Sequence, residues 1–140
     1  MNDCLFCKIA SGEVAAEIVF DDKAFVAFLD HRPVFKGHTL LIPRKHVEVF
    51  EALPSELETP FLRVSKILSL AVEKAMNAQG TFLGINNKVS QSVPHLHLHI
   101  IPRTKGDGLK GFFWPRKKYA SAEEMADVGE RIRVALRASS

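Results

Sequence analysis

The sequence has little of several features that would place it in a specialised class of protein. It holds only two cysteines in 140 residues, too few for the disulfide framework of a small secreted domain. No apolar run approaches the roughly 20 residues that a membrane-spanning helix needs. The first four residues lack the charged and apolar regions of a signal peptide. We therefore expect a cytoplasmic protein with no membrane partner.

Repeats and low-complexity segments are also absent, while 46% of the residues are hydrophobic, which suffices for a core. The net charge is only +3, and basic residues alternate with acidic ones except at residues 116–118 and near the C-terminus. We interpret this small excess as a solvated basic face and expect no nucleic-acid partner. The sequence predicts one domain over residues 1–140.

Short apolar stretches bounded by turn residues predict five strands. They span residues 17–20, 25–29, 39–42, 81–85 and 95–101. A central helix is predicted from apolar residues at steps of three and four, namely Leu57, Phe61, Val64, Leu68, Ala71 and Ala75. Because the order of elements shows no repeating strand–helix–strand unit, we predict an α+β fold in which helices cover one face of an antiparallel sheet.

The two predicted helices differ in how clearly their starts are marked. The central helix begins either at Ser55, which forms a capping box with Glu58, or at Thr59, which precedes a proline at the first helical position. A C-terminal helix begins at Ser121, with Glu124 completing its capping box. The apolar stripe of this helix consists of Met125, Val128, Ile132 and Leu136.

The most informative feature is a run of three histidines at alternate positions, His95, His97 and His99. Strand side chains alternate between faces, so the three imidazoles share one face while apolar residues take the other. A solvated strand face would also be polar, but it rarely places the side chain that titrates near neutrality at three positions in succession. We interpret the histidine face as a catalytic surface.

These histidines give the chain a resemblance to the histidine triad family, whose signature is His-x-His-x-His followed by apolar residues. Further matching segments are residues 4–9, 28–30, 37–46 and 91–93, in the same order. The resemblance implies an α+β fold with an antiparallel sheet of about five strands, a central helix and a C-terminal helix. It also implies a core over residues 4–103, an extension over residues 104–140, and a homodimer in which the sheets become continuous.

The resemblance implies a nucleotide hydrolase with a covalent intermediate. His97 would attack the α-phosphate to give a nucleotidyl-histidine, and water would then hydrolyse it. His99 would donate a hydrogen bond to a nonbridging oxygen, and Gln91 and Ser92 would meet the phosphate and the leaving group. Histidine at position 99 matches the hydrolase branches of the family. This mechanism requires no catalytic metal.

A nucleoside pocket is indicated by face parity and by the resemblance together. Phe28 and Asp30 share a strand face, as do His38, Leu40 and Ile42. By resemblance, Asp30 would hold the ribose, although a carboxylate before Arg32 and Pro33 can equally form a turn. The other implied nucleotide contacts are Leu5, Phe6, Ile9, Phe28 and Leu40 at the base, and His38, Asn86, Gln91, Ser92 and His99 nearer the ribose and phosphate.

The expected substrates are purine nucleoside phosphoramidates or dinucleoside polyphosphates. An amine leaving group needs little beyond a proton, whereas a second nucleotide needs positive charge, which Lys110 and residues 116–118 can supply. The aromatic residues 112–114 are expected to pack across a dimer or to act in specificity. His31 stands next to Asp30, where relatives often have an aliphatic residue.

The two cysteines form a Cys-x-x-Cys pair, which indicates a metal half-site or a redox pair. Tetrahedral zinc needs two more ligands, and His46 and His95 are the candidates. Some relatives carry zinc with this pairing, so Cys4, Cys7, His46 and His95 are predicted to hold a structural zinc. The alternative is two buried, reduced cysteines with His46 in an exposed turn.

Two rival functions remain open from the sequence. In the first, the three histidines themselves hold a metal ion that activates water. Three alternate positions span about 13 Å along a strand, which strains a single metal site. The chain can also be a nucleotide-responsive binding or scaffold protein with little turnover.

Overall fold

The computed structural model describes residues 3–109 and 116–139. The chain divides into two compact units, Met1–Lys105 and Gly106–Ser140. This boundary lies two residues beyond the predicted core, which ended at residue 103. That the whole chain is one domain stays a prediction. Over the described ranges, no helix is both long enough and apolar enough to cross a lipid bilayer.

The first unit is built on a five-stranded sheet in which every pair of neighbours is antiparallel. Its strands are β1 (Ile18–Asp21), β2 (Phe25–Leu29), β3 (Thr39–Pro43), β4 (Gly80–Gly84) and β5 (Leu98–Arg103). They lie in the order β1-β2-β3-β5-β4, so β1 and β4 form the edges. The predicted α+β fold is confirmed.

A short helix, α1 (Leu5–Ser11), precedes the sheet and is missing from the sequence prediction. Cys4 is its N-cap, with the sulfur accepting a hydrogen bond from the backbone nitrogen of Cys7. Gly12 ends it in the left-handed region, with φ of 85°. A helix of seven residues is too short to repeat an apolar stripe, so periodicity does not reveal it.

The central helix, α2 (Glu58–Ala75), follows two 3-10 turns, Phe50–Ala52 and Ser55–Leu57. Neither predicted cap is correct, because Leu57 occupies the N-cap and makes no side-chain cap hydrogen bond. Pro60 is tolerated in the first turn, where a backbone N–H has no partner within the helix.

The apolar stripe of α2 is correct over its first half only. Phe61, Val64 and Leu68 are buried, but the next buried apolar residue is Val72, while Ala71 and Ala75 are exposed. Eleven residues separate Phe61 from Val72, close to three turns of an α-helix, so the core-facing stripe stays straight along the helix axis.

The two faces of the sheet carry separate cores, because side chains alternate along each strand. On one face, Ala27 and Leu41 pack with the α2 residues. On the other, Phe28 and Leu40 pack with Phe6 of α1. The helices of this unit therefore cover both faces, and the predicted one-sided arrangement is wrong because α1 was not foreseen.

The second unit contains α3 (Ala122–Ser139). The predicted Ser121 cap is confirmed, since the backbone nitrogen of Glu124 donates to Ser121 Oγ. The box is not closed as predicted, because the Glu124 carboxylate accepts from the backbone nitrogen of Ala120 and not from that of Ser121. Met125, Ile132 and Leu136 of the predicted stripe are exposed. Lys110 and the aromatic residues 112–114 lie outside the described residues.

Candidate active site and metal centre

The histidine run begins in a bend and continues into β5. Because β5 begins at Leu98, His95 and His97 precede the strand, and the predicted strand start at residue 95 is wrong. The backbone nitrogen of His95 donates to the carbonyl of Val93, so the chain is bent immediately after Pro94. The side chains nevertheless alternate as predicted, with Leu96, Leu98 and Ile100 all in the core beneath α2.

The histidine side of this run is not a solvated surface. His95 is 0% exposed and His97 is 4% exposed. Phe6 of α1 contacts both rings, with centroid separations of 6.0 Å to His95 and 5.0 Å to His97. The alternative of a solvated strand face is therefore wrong for these two residues.

The hydrogen-bond partner of His97 fixes its tautomer. Nδ1 lies 2.7 Å from the carbonyl oxygen of His95, and a carbonyl can only accept, so Nδ1 carries the proton. In the neutral ring, Nε2 is left with a free lone pair. An imidazole nitrogen of this kind is a competent nucleophile.

A second chain of hydrogen bonds fixes the tautomer of His99. The backbone N–H of Val34 donates to His38 Nδ1 at 3.1 Å, so the proton of neutral His38 is on Nε2. That nitrogen lies 2.9 Å from His99 Nδ1 and donates to it. His99 therefore carries its own proton on Nε2 and can donate from that atom.

Burial keeps both of these imidazoles neutral. It lowers the pKa of His99 to about 4, an effect that the nearby His97 and His38 strengthen. Burial also lowers the pKa of His38, against the opposing pull of the Asp30 carboxylate. The buried polar network is thus a set of neutral donors and acceptors near pH 7.

Over the described residues, the ligand atoms of His95, His97 and His99 do not form one converging group. Among the described residues, the ligand atoms that converge within 4.8 Å belong to two other groups, Cys4–Cys7–His46–His95 and Asp30–His38–His99. In the second group, His38 Nε2 faces the partners but bears the proton, because Val34 occupies Nδ1. A metal on Nε2 would require the opposite tautomer, so this group is a hydrogen-bond network.

A cleft of about 700 Å³ opens beside His97 and His99. Strand register explains its floor, since Phe28 pairs with Leu40 and Leu40 pairs with His99 in one row across the sheet. Phe6 packs edge-on against Phe28 with ring centroids 5.3 Å apart. The predicted site residues that line this cleft are Leu5, Phe6, Ile9, Phe28, Asp30, Leu40, Ser92, His97 and His99.

Three of the predicted catalytic or substrate-binding residues do not line the cleft. His38 is buried behind His99, and Asn86 is exposed elsewhere. The amide of Gln91 accepts from the backbone nitrogen of Lys88 and donates to the carbonyl of Glu48. Its loop is strained, since Lys88 and Ser90 have φ of 72° and 60°.

The cleft also has a wall that the sequence did not predict. It is formed by Val14, Ala15, Ala16, Glu17, Leu29, His31 and Val93. Most of these are small or apolar residues without a motif, so the sequence carries no signal for their role. His31 is the exception, because it adjoins the predicted ribose ligand.

Asp30 is both a turn former and a cleft residue. Its Oδ1 accepts from the backbone nitrogen of Arg32 at 2.9 Å, which is the turn that the sequence suggested. Its Oδ2 lies 3.8 Å from His38 Nε2, beyond hydrogen-bond distance. The carboxylate is 19% exposed, so it retains acceptor capacity toward the cleft.

The second centre is the cluster of Cys4, Cys7, His46 and His95, which suits tetrahedral zinc. Zinc with bonds of about 2.3 Å to sulfur and 2.0–2.1 Å to nitrogen separates its ligand atoms by about 3.3–3.8 Å. His95 Nδ1 lies 3.4 Å from Cys4 Sγ, 3.5 Å from Cys7 Sγ and 3.2 Å from His46 Nδ1. Cys7 Sγ lies 3.3 Å from His46 Nδ1. The four groups thus fit a zinc ion.

The tautomer of His95 also favours zinc binding. His95 Nε2 lies 2.8 Å from the carbonyl of Pro43 and donates to it, which leaves the Nδ1 lone pair facing the sulfurs. Burial raises the pKa of Cys7 to about 11, with the Cys4 thiol adding to the shift. A cation at this position would favour the thiolate form of Cys7, against the effect of burial.

Comparison with known proteins agrees with this geometry. Residues 11–106 match the model of the HIT domain. The chain belongs to the HIT family. An uncharacterised HIT-like protein of Methanocaldococcus jannaschii is 42% identical over 107 residues, which cover 75% of this chain and 82% of that one. The adenosine 5′-monophosphoramidase of Schizosaccharomyces pombe is 34% identical over 131 residues, or 92% and 95% of the two chains.

Solved structures of HIT proteins share the fold. The crystal structure of a HIT family member from Bacillus subtilis superposes with a TM-score of 0.81 at 34% identity and covers 94% of this chain and 95% of its own. A zinc-bound histidine triad family protein from Mycobacterium smegmatis gives a TM-score of 0.72 at 30% identity, covering 99% of both chains. A protein with the same fold as this HIT protein has thus been solved with zinc bound.

The buried histidines make the stability of this HIT protein depend on pH. An unfolded histidine binds its proton near pH 6.5, whereas native His99 stays neutral down to about pH 4. Between these values the unfolded chain binds more protons, so the free energy of unfolding falls as the pH is lowered. We expect H99Q to fall less steeply than wild type in urea unfolding between pH 6.5 and 4.5, and equal slopes would contradict this assignment.

Proposed function

We propose that this protein is a nucleotide hydrolase that cleaves the α-phosphate linkage of purine nucleoside phosphoramidates or dinucleoside polyphosphates through a nucleotidyl-histidine on His97. The observation that carries the proposal is the tautomer of His97, whose free Nε2 belongs to a ring that lines a cleft of nucleoside size. Membership of the HIT family and a relative named as an adenosine 5′-monophosphoramidase support the same class of reaction.

The reaction has two steps. His97 Nε2 forms a bond to the α-phosphorus while the bond from phosphorus to the leaving nitrogen or oxygen breaks, and the leaving atom takes a proton from solvent. Water then adds to the phosphorus and returns one proton to solvent, the bond from phosphorus to His97 Nε2 breaks, and neutral His97 is regenerated. His99 donates from Nε2 to a nonbridging oxygen and stabilises the charge that develops there.

The nucleoside end of the cleft suits a base and a ribose. Phe6, Phe28 and Leu40, together with Leu5 and Ile9, offer apolar walls to the base. The ribose hydroxyls donate to Asp30, chiefly to Oδ2, because Oδ1 already accepts from Arg32. The carboxylate thereby keeps its turn while it binds substrate.

The residues around the phosphate have different tasks. Ser92 lines the cleft and donates to the phosphate or the leaving group, whereas His38 acts behind His99 as a positioning residue. Gln91 reaches the phosphate only after releasing the Glu48 carbonyl, and the strained backbone at Ser90 favours such a rearrangement. Asn86 does not line the cleft, so we propose no contact between it and the bound nucleotide.

Cys4, Cys7, His46 and His95 hold a structural zinc ion. Their spacing fits tetrahedral coordination, and a zinc-bound relative has the same fold. The zinc ties α1 to the bend before β5, since Cys7 lies on the helix and His95 on the bend. All four positions would be filled by protein, so we assign no catalytic role to this metal.

The protein acts as a homodimer whose sheets join at β4. Over the described residues this strand is an edge of the sheet, and a sheet edge can act as a template for another strand. Its Leu83 is exposed and lines a cleft of about 620 Å³ with Leu62 of α2, which is also exposed.

Sedimentation velocity tests whether two chains pair, and a species of monomer mass at every concentration would contradict the proposed homodimer. A cytoplasmic location stays a prediction.

Replacing the nucleophile should abolish chemistry and spare binding. H97N removes the attacking nitrogen, so we expect turnover to fall by several orders of magnitude while nucleotide affinity changes little. H38N is the comparison, because it disturbs only the positioning of His99 and should retain more activity. Steady-state kinetics and calorimetry measure the two effects, and a tenth of wild-type turnover in H97N would rule out His97 as nucleophile.

The leaving group can be decided by comparing two substrates without added divalent metal. We expect an adenosine phosphoramidate to give AMP and amine, and a dinucleoside polyphosphate to give AMP and the remaining nucleotide. Turnover of either supports the proposed hydrolase and identifies its leaving group. Binding without turnover of both would favour the scaffold alternative, and strict dependence on added metal would favour a metal hydrolase.

The zinc assignment predicts about one zinc per chain by elemental mass spectrometry. H46A removes one ligand, so it should lose zinc and lower the melting temperature more than it lowers turnover per folded molecule. K45A changes the exposed neighbour and serves as the control. Metal-free wild-type protein, prepared under reducing conditions without chelators, would overturn the assignment.

A further inference from the structure

The polar side chains lining the nucleoside cleft divide by position. Ser92, His97 and His99 surround the phosphate, and Asp30 takes the ribose in the function proposed above. The remaining polar members of the cleft, over the described residues, are Glu17 and His31. The other residues toward the base are aliphatic or phenylalanine, so they offer the base no side-chain hydrogen bond. Over the described cleft residues, Glu17 and His31 are therefore the side chains toward the base that can add a polar contact to those of the apolar wall.

His31 lies close to the position at which the base would extend from the ribose. It follows Asp30 directly, and its Nδ1 lies 4.0 Å from Asp30 Oδ1. The Asp30–Arg32 turn holds this segment at the cleft mouth. Because the base is joined to the ribose that Asp30 binds, it must lie within reach of the neighbouring imidazole.

The exposed ring of His31 is available to stack on a bound base. Its side chain is 85% exposed, although it lines a largely apolar cleft. An aromatic ring in this position can cover the outer face of a base, and base–aromatic stacking contributes substantially to nucleotide affinity. The opposite face of the base would rest on the apolar cleft wall. A two-ring purine overlaps such a ring more than a pyrimidine does.

We propose that His31 stacks on the base and is a specificity-determining residue that favours purine over pyrimidine nucleotides. This inference rests on the proposed nucleotide site. Glu17 is the weaker candidate, since its defined contact is through the backbone, where its carbonyl accepts from the Leu29 nitrogen at 3.0 Å. A role for its carboxylate is a separate outcome of the test.

The experiment measures Kd for AMP, CMP and ribose 5-phosphate by calorimetry on the zinc-loaded protein. The variants are H31A, H31F and H31Q, with E17Q as the control at the same cleft mouth. We expect H31A and H31Q to weaken AMP binding about tenfold and to reduce the preference for AMP over CMP. H31F should retain both properties, because phenylalanine keeps an aromatic face. Ribose 5-phosphate should bind all variants equally.

The outcomes distinguish a failure of the His31 stacking role from a failure of the proposed nucleotide site. Unchanged AMP affinity in H31A, or loss of affinity in H31F equal to that in H31A, would overturn the stacking role. Loss of the purine preference in E17Q alone would assign selectivity to Glu17 instead. If wild-type protein binds neither AMP nor ribose 5-phosphate, the nucleotide site itself is wrong, which is a distinct failure.

Discussion

The hydrogen bond from His97 Nδ1 to the carbonyl oxygen of His95, 2.7 Å long, decides which nitrogen of His97 is free to react. The acceptor is itself held in place, because the His95 ring donates to Pro43 and faces the two cysteines. The proposed nucleophile is therefore oriented by the backbone of a residue that also belongs to the proposed zinc site. A nucleophile fixed in this way needs no adjacent carboxylate to select its tautomer.

Helix α1 links the proposed zinc site to the proposed nucleoside cleft. Cys7 lies on the helix and approaches His46 and His95, while Phe6, one residue earlier, contacts the His97 ring and Phe28. The same short helix thus contributes one of the proposed zinc ligands and part of the cleft wall. Since seven residues make few hydrogen bonds of their own, the helix depends on these tertiary contacts for its position.

The residues predicted most reliably from the sequence are those whose neighbours are set by strand parity. The alternation around His97 and the strand faces of Phe28 and of Leu40 follow from local spacing. The grouping of Cys7 with His46 follows from ligand chemistry together with the family resemblance. The helix α1 is too short for periodicity to detect. The orientation of Gln91 depends on the Glu48 carbonyl, a contact across 43 residues that no local pattern encodes.

The central claim is a covalent bond between His97 and the nucleotide, and trapping that bond tests it most directly. Wild-type protein is mixed with an adenosine phosphoramidate, denatured rapidly at alkaline pH to preserve a phosphorus–nitrogen bond, digested and analysed by mass spectrometry. The account predicts an adenylyl group on the peptide containing residues 95–99, located on His97 and absent from H97N. Turnover with the adduct on another residue would contradict it.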